Sequence, residues 1–337
     1  MRHNDVLPRL GRRGLLIAGS ALLAASIARP SRGQEPAAGW PDGPLRLVVP
    51  FPPGSTPDLV ARLVAEHLRE AFRQPVVVDN KPGAGGTLGT ALVAEATDGH
   101  TVGVTINGPV TTAKALYPNL AYDPARDLAL VSLLARTPQL LVVHPGVPAT
   151  DLAGLIAHAK ANPGRLSFGS VGPGSAGHLA MEDLKARAGI DLLHVPYKGF
   201  PEATVDLTTG RIQAMFVIAS GILAQVRAGQ ARALAVTAES RIPQAPEVPT
   251  LAEAGLPDSA SYAWNGLIAP AATPPDRIAR LAAEARAAVT APASRATLEK
   301  AGFEIVGSTP EEFAAFAAAE TERWTVVVRR LGITLGG

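Results

Sequence analysis

The 337-residue chain contains no cysteine, which excludes disulfides, thiol nucleophiles and thiolate metal sites together. Aromatic residues are scarce at 4%, so the interior must be built from Ala, Leu and Val. Charged residues, at 18%, fall below the quarter usual for soluble domains while hydrophobic residues reach 47%, a balance that excludes a disordered, solvating chain. No HExxH occurs, and none of the seven histidines has the i, i+4 spacing of a helical metal pair. The residues thus offer no catalytic set, no metal site and no cofactor.

What is present begins with an export signal. Arg9, Arg12 and Arg13 precede an apolar core at 14–28, shorter than the roughly 20 residues needed to span a bilayer. Residues 1–33 read as a signal peptide of the Sec or twin-arginine kind and 34–43 as a disordered leader, so the mature protein is expected in the periplasm. Six of the 31 basic residues and one of the 29 acidic residues lie in those first 33, which turns the formal charge of +2 into −3 for the remainder. No basic patch with interleaved aromatics survives, so nucleic acid is not an expected partner.

Beyond the leader, strand and helix patterns alternate. Strands are expected at 45–51, 75–78 and 101–106, with helices at 57–72 and 87–96, a βαβαβ order that calls for a parallel sheet. The alternation resumes with a helix at 151–161 capped by Thr150, strands at 166–170, 192–197, 211–218 and 231–237, and helices at 175–188 and 202–209. An extended segment at 262–269 and helices at 275–289 and 310–331 close the chain. Two α/β blocks follow, with the chain crossing to the second near 139–145 and returning near 262–270. The expected lobes are 44–140 with 263–337, and 141–262.

Gly172-x-Gly174-x-x-Gly177 spells a dinucleotide fingerprint, but the next strand ends in Val195-Pro196-Tyr197-Lys198, without the acid that would hold a ribose. An esterase elbow fails because Pro173 stands where its first glycine belongs. His178 and His194 read as packing or core histidines. Four Gly/Pro-rich turns, at 49–58, 80–89, 106–112 and 168–180, each follow the end of a strand. There, helix N-termini with free amides attract anions. An exported two-lobed protein with such turns reads as a solute receptor, the competing reading being an exported oxidoreductase or hydrolase using the same cleft.

At this point the residues carry a resemblance. VPFPPGSTPDLVAR (49–62), VDNKPGAGGTLGT (78–90), FGSVGPGSAGHLA (168–180), HVPYKG (194–199), VPTLAEAGLP (248–257) and LIAPAATP (267–274) occur in order. They are similar to the periplasmic receptors of tripartite tricarboxylate transporters, often called Bug proteins. The resemblance implies a type II periplasmic binding-protein fold, a Venus flytrap with a crossed-over chain. It also implies capture of a small organic carboxylate, with membrane transporter subunits or a sensor domain as partners and a monomeric, non-enzymatic receptor. Carried onto this chain, the ligand contacts would be Phe51, Gly54, Ser55 and Asn107 in one lobe and Ser170, Gly172, Ser175, Ala176 and Asp206 in the other. Asp58 is expected to cap its helix. Departures from the family pattern are Ser55 and Pro57, Phe200-Pro201-Glu202, and Val217 where an acid is frequent. The last implies a ligand without an ammonium group.

Overall fold

In the computed structural model, β1 (Leu45–Val49), β2 (Val76–Asn80) and β3 (Thr101–Ile106) run parallel, joined by the crossover helices α1 (Thr56–Phe72) and α2 (Thr87–Ala94). The structure describes residues 39–330 and 332. The expected signal peptide and residues 34–38 of the leader lie outside the described residues. The remainder of that leader is ordered: Trp40 is 6% exposed and its indole N–H donates to the Gly99 carbonyl at 2.9 Å. Apolar burial, this bond and a second from the Arg280 guanidinium to the Trp40 carbonyl hold a segment whose Pro- and Gly-rich composition reads as disordered.

Short helices α3 (Asn107–Thr111), α4 (Ala113–Leu116) and α5 (Pro124–Asp127) lead into β4 (Leu128–Val143), a strand of 16 residues. Then come α6 (Leu152–Ala161), β5 (Leu166–Ser170), α7 (Ala176–Ala188), β6 (Leu192–Pro196), α8 (Phe200–Thr208) and β7 (Ala214–Ile218). After α9 (Leu223–Arg227) and β8 (Arg232–Val236), β9 (Tyr262–Pro270) brings the chain back. It ends with α10 (Pro275–Thr290), α11 (Pro292–Lys300), β10 (Glu304–Ile305) and α12 (Pro310–Arg330). The α6 cap is Asp151, which accepts the Gly154 amide at 2.7 Å, and not Thr150, one residue too early to reach it.

The sheet order is β2-β1-β3-β9-β4-β7-β5-β6, with β8 and β10 also paired to β4. β4 is shared. Its residues from Leu128 to Pro138 pair with β9, and those from Gln139 to Val143 pair with β7. Pro138 sits where the partner changes, so its missing N–H leaves no gap in either ladder. Thr237, just past β8, ties both passages of the chain. It exchanges backbone bonds with Gln139 and Ser261, and its hydroxyl accepts the Gln139 amide at 2.9 Å and donates to the Ser261 carbonyl at 2.6 Å.

Helices cover both faces of each half, as buried parallel strands require. In the first half Val60, Val64 and Leu68 of α1 pack with Leu281 and Ala285 of α10, while Trp264 and Phe313 meet edge to face on the opposite side at 5.5 Å. In the second half Leu155, Met181 and Leu184 form one core, and Ala203, Leu207, Met215 and Val217 the other.

Candidate functional site

The turn between β1 and α1 is built around a buried carboxylate. Asp58, 3% exposed, accepts the Gly54 amide at 2.9 Å, the Arg62 guanidinium at 2.9 and 3.0 Å, and the Asn80 side-chain amide at 2.9 Å. Asn80 also donates to the Phe51 carbonyl at 2.9 Å, so the end of β2 fixes the turn. Burial works to raise the Asp58 pKa, but the bonds from Arg62, Gly54 and Asn80 outweigh it and hold it below the usual carboxylate value. Asp58 anchors the helix start, as expected. Ser55 occupies the N-cap position with extended φ −73° and ψ 165°, yet its hydroxyl bonds to no helix amide and is buried without a partner among the described residues.

The turn between β5 and α7 satisfies its own hydroxyls. The Gly172 carbonyl accepts the Ser175 hydroxyl at 2.6 Å, and the Gly172 amide donates to the Ser170 hydroxyl at 3.1 Å. Ser170 Oγ lies 2.7 Å from His194 Nε2, and His178 Nδ1 accepts the Gly174 amide at 3.1 Å. The two imidazoles pack 4.2 Å apart, and His194 stacks on Phe168 at 4.9 Å. Burial lowers the His178 pKa to about 3, with His194 and Lys185 adding to the effect, and burial followed by Lys185 lowers His194 to about 4. Both are neutral; His178 is a core histidine as expected, whereas His194 is only partly buried, on the edge strand β6.

The glycine-rich turns meet one another. Gly85 (φ 63°) lies against the turn after β5: a Cβ there would stand 2.6 Å from the Pro173 carbonyl oxygen. At Gly172 (φ 113°) a Cβ would stand 3.1 Å from the Gly85 Cα, and at Gly108 one would stand 2.8 Å from the Gly174 carbonyl oxygen. A Cβ on Gly177 would stand 2.8 Å from the Phe216 carbonyl oxygen, where α7 packs onto β7. Close backbone approach therefore accounts for the fingerprint-like spacing, and no pyrophosphate is needed to explain it.

Beside this seam lies a cavity of about 480 Å³, within the range of small-molecule sites. Phe51, Gly54 and Ser55 line it from the first half, with Leu59 and Phe303; Val171, Phe200, Thr204, Val205, Ile218, Ser220 and Gln225 line it from the second. Among the described residues, no Lys, Arg, His, Asp or Glu is on its wall. Thr204 Oγ1, like Ser55 Oγ, is buried with no partner among the described residues. A second cavity of about 310 Å³ shares the Phe51 and Val171 walls and is lined by residues including Gly85, Gly172, Tyr197 and Lys198.

Of the nine residues expected to contact ligand, Phe51, Gly54 and Ser55 line the larger cavity and Gly172 the smaller. The other five line neither. The Asn107 side chain clamps β9, donating to the Tyr262 carbonyl and accepting the Trp264 amide, both at 3.1 Å. Ser170 and Ser175 are engaged with Gly172, and Ala176 is buried in the first turn of α7. Asp206 accepts from the Tyr197 hydroxyl at 2.8 Å and from Arg211 at 3.1 Å. Val217, thought to mark the place of a missing acid, is fully buried in the core, and its neighbour Ile218 lines the cavity instead.

Phe200, Thr204 and Val205 on α8, and Ser220 after β7, were not anticipated. The rule that ligands gather beyond the carboxyl ends of strands points to Ser220. Nothing in the short α8 pattern singles out Thr204.

An α/β chain with a mixed sheet, parallel within each half and antiparallel at β9 and β4 where it crosses twice between them, and with a cavity walled by both, defines the class of the periplasmic binding proteins. The sequence profile of the family described as tripartite tricarboxylate transporter family receptor matches residues 60–333, and the chain belongs to that family. It is 41% identical to the UPF0065 protein in the tcbD-tcbE intergenic region of Pseudomonas sp. strain P51, over 96% of this chain and 95% of that one. Among solved structures it is similar to Rpa4515 of R. palustris with adipate, at 35% identity and a TM-score of 0.81, covering 88% of this chain and all (100%) of the other. MatC of Rhodopseudomonas palustris with bound malate matches at 33% and 0.80, covering 86% and 100%. The periplasmic binding protein BugD matches at 31% and 0.80, covering 88% and 100%.

Proposed function

We propose that the protein is a monomeric periplasmic receptor that binds a small organic carboxylate in the cavity between its halves. It would deliver the ligand to a tripartite tricarboxylate-type transporter or to a sensor domain, without chemical turnover. The observation that carries this reading is the pair of unpartnered buried hydroxyls, Ser55 and Thr204, on opposite sides of one cavity. Buried polar groups without partners are rare in folded proteins and call for an explanation, and a bound acceptor supplies one. The family membership and the adipate and malate complexes of similar proteins support an organic acid as that acceptor.

In this reading Phe51, Gly54 and Ser55 contact the ligand from a lobe made of 44–140 with 263–337, and the other contacts come from a lobe at 141–262. Gly172 faces the adjoining cavity. A ligand that touches both lobes favours their closed arrangement by its differential affinity. Hydrogen bonds to a charged group contribute about 1.5–3 kcal/mol each, so a few of them with apolar contact reach the roughly 8 kcal/mol of micromolar binding.

The test is extraction of small molecules from the native protein for mass spectrometry, followed by thermal-shift titration with the acids recovered. A carboxylate that raises Tm and is recovered unchanged is expected. Consumption of the acid, or release of a nucleotide, would reject the reading.

A further inference from the structure

Among the described residues the wall of the larger cavity carries five polar side chains, Ser55, Thr56, Thr204, Ser220 and Gln225, and all are uncharged. Two carboxylates on the elements that line it are engaged elsewhere. Asp58 is bound by Arg62, Gly54 and Asn80, and Asp206 by Tyr197 and Arg211. Lys198, close in sequence to α8, is on the wall of the smaller cavity and not of this one. Against the polar groups stand Leu59, Phe200, Val205, Ile218 and Phe303. A few hydroxyls and amides can satisfy one carboxylate. A second carboxylate, or a chain of hydroxyls, would be brought against aliphatic and aromatic carbon with no partner, which is strongly unfavourable.

Resting on the receptor reading above, we propose that the ligand class is the monocarboxylate with an apolar body, aliphatic or aromatic, and not the di- or tricarboxylate. Uncharged donors hold its single carboxylate, and the selectivity resides in Phe200, Val205, Ile218 and Phe303. Discrimination follows from two properties of the wall. Each methylene buried there raises affinity by about fourfold. A second charge finds no cation on the described wall, and the few uncharged donors there are committed to the first carboxylate.

Isothermal titration of the purified protein with butanoate, hexanoate, benzoate, adipate, malate and hexanol tests this. Hexanoate is expected to bind about fifteenfold more tightly than butanoate, from its two added methylenes, and at least tenfold more tightly than adipate. The variant Val205→Lys, at a position 57% exposed and therefore tolerant of the change, is expected to reverse the order of hexanoate and adipate. Adipate or malate binding as well as hexanoate would overturn the proposal and leave the receptor reading intact. So would an unchanged order in Val205→Lys. Hexanol binding as tightly as hexanoate, or no acid binding at all, would overturn the receptor reading itself.

Discussion

Ser55 and Ser175 hold the same local position: each is an N-cap serine with extended backbone, and neither bonds to an amide of its own helix. Their surroundings differ. Ser175 finds the Gly172 carbonyl at 2.6 Å, because the turn before it folds back on itself at a glycine. In the turn before Ser55, Asp58 takes the Gly54 amide and the hydroxyl is left over. The first arrangement makes a rigid turn, and the second a rigid turn with one donor to spare. A serine at a helix start is therefore a ligand candidate only where its neighbours have satisfied the turn without it.

The largest expected effect comes from removing what makes Ser55 spare. Asp58→Ala strips partners from Gly54, Asn80 and Arg62 and should cost about 2–3 kcal/mol of stability, read by denaturant unfolding. A loss within experimental error would mean the turn holds itself together without its carboxylate. Next is the seam where the turn before Ser175 meets the glycine turn after β2. Gly172→Ala forces a side chain at φ 113° toward the Gly85 Cα, and strain of about 1–3 kcal/mol should appear mainly as weaker ligand binding in calorimetry. Unchanged affinity would remove the seam from the bound state.

The serines themselves should respond in opposite ways. Ser175→Ala should lower stability by about 1 kcal/mol, whereas Ser55→Ala should leave stability within about 0.5 kcal/mol and weaken binding roughly tenfold or more. Equal effects on both properties in both variants would erase the distinction.

The smallest effect is a pH dependence confined to the second turn. His178 and His194 have depressed pKa values of about 3 and about 4 and stay neutral in the fold, while in the unfolded chain they take up protons below about 6.5. Their contribution is complete above that pH and is lost as pH falls toward about 4, by about 0.7 kcal/mol per histidine between pH 7 and 6. Tm should therefore decline over this range, and His178→Asn should flatten the decline. A level Tm in the unaltered protein would contradict it.

Much of the fold is legible in the sequence because it rests on local patterns. The α1 stripe of Val60, Val64 and Leu68, the β-branched runs of β1 and β2, and the Gly/Pro turns between them lie within a residue or two of their expected bounds. The 16-residue β4 is not among the expected strands: it is a run shared by two halves of the sheet, with partners that change at Pro138 and lie far off in sequence. The site divides in the same manner. Phe51, Gly54 and Ser55 follow from a motif at one strand end, but whether Asn107 meets a ligand or clamps β9 depends on a residue 155 positions away. Adjacent residues can part company too: Val217 enters the core and Ile218 reaches the cavity, a difference set by where β7 stops.

The clasp at Thr237 also governs how the molecule would carry load. β1 lies in the first half of the sheet and α12 packs both on that half and on α7, while the second half is a long excursion whose neck passes through Gln139 and Ser261, tied together by one threonine. Tension applied between β1 and α12 would reach the second half by two routes, the Thr237 neck and the packing of Trp324 and Val328 on Leu179 of α7. The part of the chain from β5 to β8 would come under load only as these two ties gave way.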